Sequence, residues 1–412
     1  MLTMAKSNAL PTPVQPAMVA RHGKMRIPSC FIPIVMLRSR RRVPAATGIC
    51  GKSKFNKVRV YSMNMKYISI FAVLAGAFCI ALPAQAELFD WVKAPEGFSK
   101  QHKEVLTDSA QLVTLEPDSS EMYPKVSKDG VDLLVMVEQK RSAWLSRRAT
   151  ENGDPLNVVT EDAEALTSFH WFDKDVAFLS NRAGSLGLWN KPANGEGLMH
   201  RSHELSGPLM DVTLLSDGTA IGVRLVAEAV VSKAVARQQH VDEFENWHVP
   251  GYNTYLVRIH ADGSEERLSS GINPAVSPDE KQIVFSMPVG RSLHLFLMNV
   301  DGSGLAQLTD ARSVDVQPAW STDGQSIVFA SNRAEADLRS GNKSQWDIWK
   351  ISSQGMGLAQ VTFDEARDGA PSMDSKGFVY FHSDRSISKE QKAERQIKSS
   401  VGKFHIWKIH AE

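Results

Sequence analysis

The chain has 412 residues, 42% of them hydrophobic, enough for one large domain or two ordinary ones with a buried core. Its formal charge of +1 averages two regions: residues 1–86 hold 13 Lys or Arg and no Asp or Glu, whereas the remainder holds 34 basic against 46 acidic residues. All three cysteines (Cys30, Cys50, Cys79) lie in the first region, so the acidic remainder offers no disulfide framework, thiolate metal site or cysteine nucleophile, and its charge excludes a dense phosphate-neutralising surface for nucleic acid.

The break between the regions has a physical reason. Met63 to Ala86 reads MNMKYISIFAVLAGAFCIALPAQA: Lys66 is a short positive start, Ile68 to Leu82 is an apolar run of 15 interrupted only by Ser69, and Ala84-Gln85-Ala86 supplies small residues for cleavage. This is a secretory signal peptide, too short for a spanning helix of roughly 20 residues. Phe78 is too bulky for lipoprotein processing at Cys79, so cleavage is expected before Glu87. Residues 1–62 are read as a disordered upstream extension outside the native protein; a transit sequence or a nucleic-acid arm are the other readings of their Arg-rich composition. Residues 63–86 are then the signal peptide, 87–104 a lead segment and 105–412 one domain.

Within that domain the chain repeats itself. Val316 to Arg333 reads VQPAWSTDGQSIVFASNR and Ile272 to Ser286 reads INPAVSPDEKQIVFS, with Pro274 and Pro318 44 residues apart. Taken in chain order, copies begin near Tyr123, Ser168, Val212, Pro274, Pro318 and Ala370, the third being degenerate. Each contains short β-branched strands joined by Asp-Gly or Asn-Gly turns, whose φ > 0 positions suit tight hairpins. Six such units predict an all-β six-bladed β-propeller, with Ile327, Val328, Phe329, Ile348, Trp349 and Ile351 as core between blades. The sixth unit stops after Trp407-Lys408-Ile409-His410, while Ser109 to Pro124 parallels Gly304 to Pro318. That orphan strand is expected to close the last blade beside the C-terminal strand.

The phrases PAWSTDG, IVFASNR, DIWKI and GLAQVT closely resemble the repeat of TolB-like β-propellers, a WD-like repeat of bacterial envelope proteins. The resemblance runs from Ser109 to the C-terminus, strongest in the fourth and fifth units. It implies a six-bladed propeller in the periplasm and, for TolB, a role in the Tol-Pal system. TolB carries an α/β domain ahead of its propeller, for which this chain has fewer than twenty residues between Glu87 and Val105, so that domain's contacts are not carried over.

Candidate residues come from two sources. Arg182, Arg333 and Arg385 end the recurrent Ser-Asn/Asp-Arg phrase, and Asp315 and Asp368 stand three residues ahead of a proline where the chain enters the innermost strand, with Glu121 as a third carboxylate there. They are channel or loop candidates, either for an anion and a cation or as local ion pairs. The second source is the three insertions, Val226 to Asn253, Ala334 to Gln345 and Ser386 to Lys403, all between second and third strands and hence on one rim. Phe244, Trp247 and His248 in the first, and Lys389, Lys392, Arg395 and Lys398 in the third, are the candidates for partner binding; packing of the first insertion against its own propeller and a solvated helix in the third are the other readings. No metal site and no cofactor is assigned.

Two functions fit this reading. One is an exported, monomeric, non-catalytic scaffold that binds an envelope protein or peptide, with no membrane insertion after signal cleavage. The other is a hydrolase or lyase working in the channel through converging groups such as His170 and His382. Against it, no Gly-x-Ser-x-Gly elbow or His-Glu-x-x-His motif occurs after residue 86, and no hydrolase domain is expected after the propeller.

Overall fold

The computed structural model describes residues 108–140, 142–161, 168–228, 244, 247–249, 251–334 and 345–411. The expected extension, signal peptide and lead segment lie outside these residues, as do most of the first two insertions.

Six four-stranded antiparallel sheets form the propeller. After the short β1 (Gln111–Leu112), blade 1 is β2 (Ser120–Val126), β3 (Asp132–Gln139), β4 (Ser142–Ala149) and β5 (Pro155–Thr160). Blade 2 is β6 (Phe169–Phe172), β7 (Asp175–Ser180), β8 (Gly187–Pro192) and β9 (His200–Glu204); blade 3 is β10 (Leu209–Leu214), β11 (Ala220–Ala227), β12 (Tyr252–Ile259) and β13 (Glu265–Ser270). Blade 4 is β14 (Ile272–Val276), β15 (Gln282–Val289), β16 (Ser292–Asn299) and β17 (Ala306–Gln307); blade 5 is β18 (Asp315–Trp320), β19 (Ser326–Ser331), β20 (Asp347–Ser352) and β21 (Ala359–Gln360). Blade 6 is β22 (Asp368–Met373), β23 (Phe378–Ser383) and β24 (His405–His410), completed by β1.

The repeated Ser-x-Asp phrase builds the first hairpin of a blade. In blade 5 the Ser321 hydroxyl donates to Asp323 (2.6 Å) and accepts from the N–H of Ser326 (2.9 Å), while Gly324 takes φ of 72°. Ser127 with Asp129 and Ser277 with Asp279 repeat the arrangement in blades 1 and 4. These side chains satisfy turn amides that the ladder cannot reach. The period of two then sends neighbouring residues of one strand to different interfaces. Ile327 and Phe329 of β19 pack toward blade 4 with Val284 and Leu295, whereas Val328 and Ala330 pack toward blade 6 with Val379 and Phe381. Trp320 adds a polar tie, its indole N–H donating to the Ala275 carbonyl of blade 4 at 3.0 Å.

Ring closure follows the expected pairing. Gln111 lies opposite Lys408 and Leu112 opposite Trp407; beyond β1, the Val113 N–H donates to the Ile406 carbonyl (2.8 Å) and the Ile406 N–H to the Thr114 hydroxyl (3.2 Å). The closing ladder leaves β24 no exposed edge on that side.

Candidate functional site: the axial wall and the decorated rim

Five of the six innermost strands carry a β-bulge at one place in the repeat, between Met122 and Lys125, Met210 and Thr213, Ile272 and Ala275, Val316 and Ala319, and Gly369 and Ser372. In each bulge a non-glycine residue takes left-handed φ: Tyr123 (54°), Asp211 (52°), Asn273 (51°), Gln317 (50°) and Ala370 (46°). In four of them a proline follows, which disfavours the right-handed helical region for the residue before it. A bulge frees main-chain groups from the ladder, and here side chains of neighbouring innermost strands receive them. The Ala370 N–H donates to Gln317 Oε1 (2.7 Å), the Gln317 N–H to Asn273 Oδ1 (3.4 Å), and Asn273 Nδ2 to Asp211 Oδ2 (3.4 Å). A polar belt thus runs along the axial wall from blade 3 to blade 6.

Lys125 and Asp211 bring opposite charge to this wall. Burial pushes the Lys125 ammonium down and the Asp211 carboxyl up, and their mutual attraction opposes both shifts. The two histidines singled out from sequence feel the same lysine. Burial, and then Lys125, push His170 down to about 4 and His382 down to about 3. His170 Nε2 accepts the Leu214 N–H at 2.9 Å and His382 Nδ1 accepts the Tyr123 N–H at 3.3 Å. Both imidazoles are therefore neutral acceptors whose basic nitrogen is already engaged. The wall can bind polar or charged groups; it presents no free imidazole base at these two positions.

The repeated arginines are spent inside the blades. Arg333 Nη2 lies 2.5 Å from Asp315 Oδ2, and Asp315 also accepts from Thr309 (2.7 Å), Ser313 (3.0 Å) and Ser331 (2.6 Å). Arg385 repeats this with Asp368 at 2.7 Å, and Glu121 faces Arg148 at 3.4 Å and His405 Nδ1 at 3.0 Å. Asp315, Asp368 and Glu121 are fully buried and are held in these local pairs. Each guanidinium also sits over two rings, Arg182 over Phe178 and Trp189, Arg333 over Phe329 and Trp349, and Arg385 over Phe381 and Trp407, at 5.2 to 5.7 Å. Arg182 keeps the Ser180 and Thr160 contacts of this arrangement. These networks need desolvated, matched partners, and a single sequence shows only one member of each at a time.

The decorated rim differs from expectation at Phe244. That residue belongs to the blade 3 insertion, yet it is only 2% exposed and packs against Trp346 of blade 5 and His382 and Phe404 of blade 6. Gly369 makes room for it, since a Cβ there would stand 2.8 Å from the Phe244 ring and from His382. Phe244 is thus an anchor into its own propeller and not an exposed contact. Trp247 is half-buried against Trp346 (5.7 Å between ring centroids), while the His248 side chain is 72% exposed. In blade 6, α1 (Lys389–Glu394) is held by a capping box between Ser388 and Gln391. Lys389, Lys392 and Lys398 line an open hollow of about 530 Å³ with Ala393, Gln396 and Ile397. Arg395 instead donates to the Val113 carbonyl at 2.9 Å, tying the insertion to the closing segment.

Sequence reasoning missed Asp108, Asp347 and Asp364, which surround Arg385, and it missed Lys125, Asp211, Asn273 and Gln317. For the bulge residues a signal exists: the position before the repeat's proline varies in chemistry while the phrase around it stays constant.

The family model described as TolB beta propeller domain matches residues 255–403. Dipeptidyl-peptidase 5 of Porphyromonas gingivalis is 41% identical over 71 residues, 16% of this chain; the chain spans 10% of that protein's length. Among solved structures, TolB from Acinetobacter baumannii is similar with 12% identity and a TM-score of 0.43, covering 69% of this chain and 65% of its own. An oligogalacturonate lyase from Vibrio parahaemolyticus is similar with 12% identity and a TM-score of 0.45, covering 74% of this chain and 95% of its own. Among the described residues no helix is long and apolar enough to cross a membrane.

Proposed function

We propose, from the premise that the chain is a TolB-like six-bladed β-propeller, that it is a non-catalytic scaffold of the cell envelope binding a protein or peptide partner. In this reading residues 63–86 direct export to the periplasm, residues 1–62 are an upstream extension, 87–104 a lead segment, and 105–412 the propeller. The observation that carries the non-catalytic part is the engagement of both axial histidines by main-chain N–H donors, which leaves the wall suited to recognition. The binding surface we favour is the rim that carries the three insertions, where Lys389, Lys392 and Lys398 lie around one hollow and His248 is open.

The test is capture of envelope proteins by the tagged protein, compared with a Lys389→Glu/Lys392→Glu/Lys398→Glu variant of unchanged thermal stability. A partner retained by the wild type and lost by the variant supports the rim. Equal capture by both places the surface elsewhere.

A second reading, a channel hydrolase or lyase, draws on Lys125, whose charge reaches Asp211, His170 and His382 along the axial wall. Turnover of a peptide or glycan substrate that disappears in Lys125→Met, with the fold intact, would replace the scaffold reading by this one.

A further inference from the structure

In the third strands of blades 4, 5 and 6 the repeat puts one side chain at a fixed place, two residues before an aromatic that pairs with the outermost strand. Phe296, Trp349 and Trp407 pair with Gln307, Gln360 and Leu112 of the outermost strands, and the residue two before each is His294, Asp347 and His405. The next main-chain N–H donates to a threonine hydroxyl in all three cases, Thr309, Thr362 and Thr114, which confirms the equivalence. In blade 6 the result is complementary: His405 Nδ1 lies 3.0 Å from Glu121 Oε2. In blade 5 an aspartate takes the histidine's place: the Asp368 N–H donates to the Trp346 carbonyl at 2.9 Å, which sets Asp347 beside Asp368, a second carboxyl group.

Asp347 is fully buried; its Oδ1 accepts from Gln345 Nε2 at 3.3 Å, and its Oδ2 has no hydrogen-bond partner among the described residues. The charged groups facing it from the packed elements are Asp368 on β22, Asp364 in the linker before it, and Arg385 after β23. Arg385 is shared three ways, with Asp108 (2.7 and 2.9 Å), Asp364 (2.8 Å) and Asp368 (2.7 Å). Just after β19 Arg333 pairs with Asp315, and in the linker Arg367 pairs with Asp384. Among the described residues, then, four carboxyl groups gather about one guanidinium. Asp108 also accepts the Phe363 N–H at 3.0 Å, so Arg385 and the linker together hold the segment that leads into ring-closing β1.

We propose that the blade 5 to blade 6 junction is a proton-dependent clasp on ring closure: Asp347 and Asp368 retain one proton between them, and its loss to solvent releases Asp108 and the closing segment. With the proton in place, one carboxyl is neutral and Arg385 serves the remaining carboxylates. Once it is gone, a buried charge with an unpartnered oxygen repels Asp368 and Asp364, and opening the linker is the way to hydrate it. The titration directions agree. Burial first, then Asp368, push Asp347 up to about 8, and burial followed by Asp368 push Asp364 up to about 6. Groups held above their unfolded values stabilise the fold at low pH, and that stability is lost as pH rises through the folded values.

The experiment is hydrogen exchange of the Val113 and Ile406 amides in the purified protein between about pH 6 and 9, corrected for intrinsic rates. We expect protection to fall by about tenfold or more in the wild type and to stay constant in Asp347→Asn, whose amide imitates the protonated acid. Protection that is independent of pH in the wild type overturns the clasp, even if the variant fails to fold. So does an Asp347→Asn protein that keeps the wild-type pH dependence.

Discussion

Phe244 and His382 meet edge to face with ring centroids 5.8 Å apart, although the chain inserts Phe244 in blade 3 and places His382 on β23 of blade 6. Blades 3 and 6 stand opposite in the ring, so the longest insertion is anchored across the molecule from its origin. Phe244→Ala removes that anchor. A loss of about 3 kcal/mol is expected, the usual scale for a buried phenylalanine, with a red shift of Trp247 fluorescence as its surroundings open. Unchanged stability and fluorescence would sink the anchor role.

Arg333 and Asp315 form a largely desolvated pair, and removing the arginine leaves the fully buried Asp315 charge without it. Arg333→Met is expected to cost about 3–5 kcal/mol, and adding Asp315→Asn should return a large part of it. Denaturant titration of the two variants checks both numbers. A surface pair would instead give less than about 1 kcal/mol in the single variant.

Closure of the ring can be probed at one hydroxyl. Thr114→Val keeps the shape of the side chain and removes the acceptor of the buried Ile406 N–H, a change expected to cost about 1–3 kcal/mol. The loss should be visible as faster exchange of the Ile406 amide ahead of the rest of the sheet.

On the acid side the two axial histidines set the slope. His170 and His382 have folded values of about 4 and about 3, below the ordinary 6.5, so the folded state excludes protons that the unfolded chain binds. The contribution of these two histidines is therefore full above about pH 6.5 and declines as pH falls toward the folded values. Lys125→Met should raise both values, since the lysine lowers each, and ring-proton titration by NMR would read the shift directly.

The insertion in blade 6 separates surface from structure within a few residues. Charge reversal at Lys389 and Lys398 is expected to change stability by less than about 0.5 kcal/mol, whereas Arg395→Ala loses the bond to the Val113 carbonyl and should destabilise the closing segment. Parallel melting curves decide; equal effects would refute the distinction.

The sequence alone determined the six-fold repeat, the turn chemistry and the closing strand. Each is a local pattern, alternation within a strand or Ser-x-Asp before a hairpin, written again at intervals that a single chain displays. Tertiary structure decided where the candidates point. Asp315 and Arg333 read in the chain as channel or loop candidates or as members of local ion pairs, and in the fold they pair with each other in the interior; Phe244 reads as a partner-binding candidate and is seated opposite its own blade. Asp347 is an ordinary strand residue until the next blade brings Asp368 toward it. The physical reason is that burial, charge pairing and proton affinity depend on which groups share a desolvated space, and neighbours supplied by another blade are not encoded in the spacing of either one.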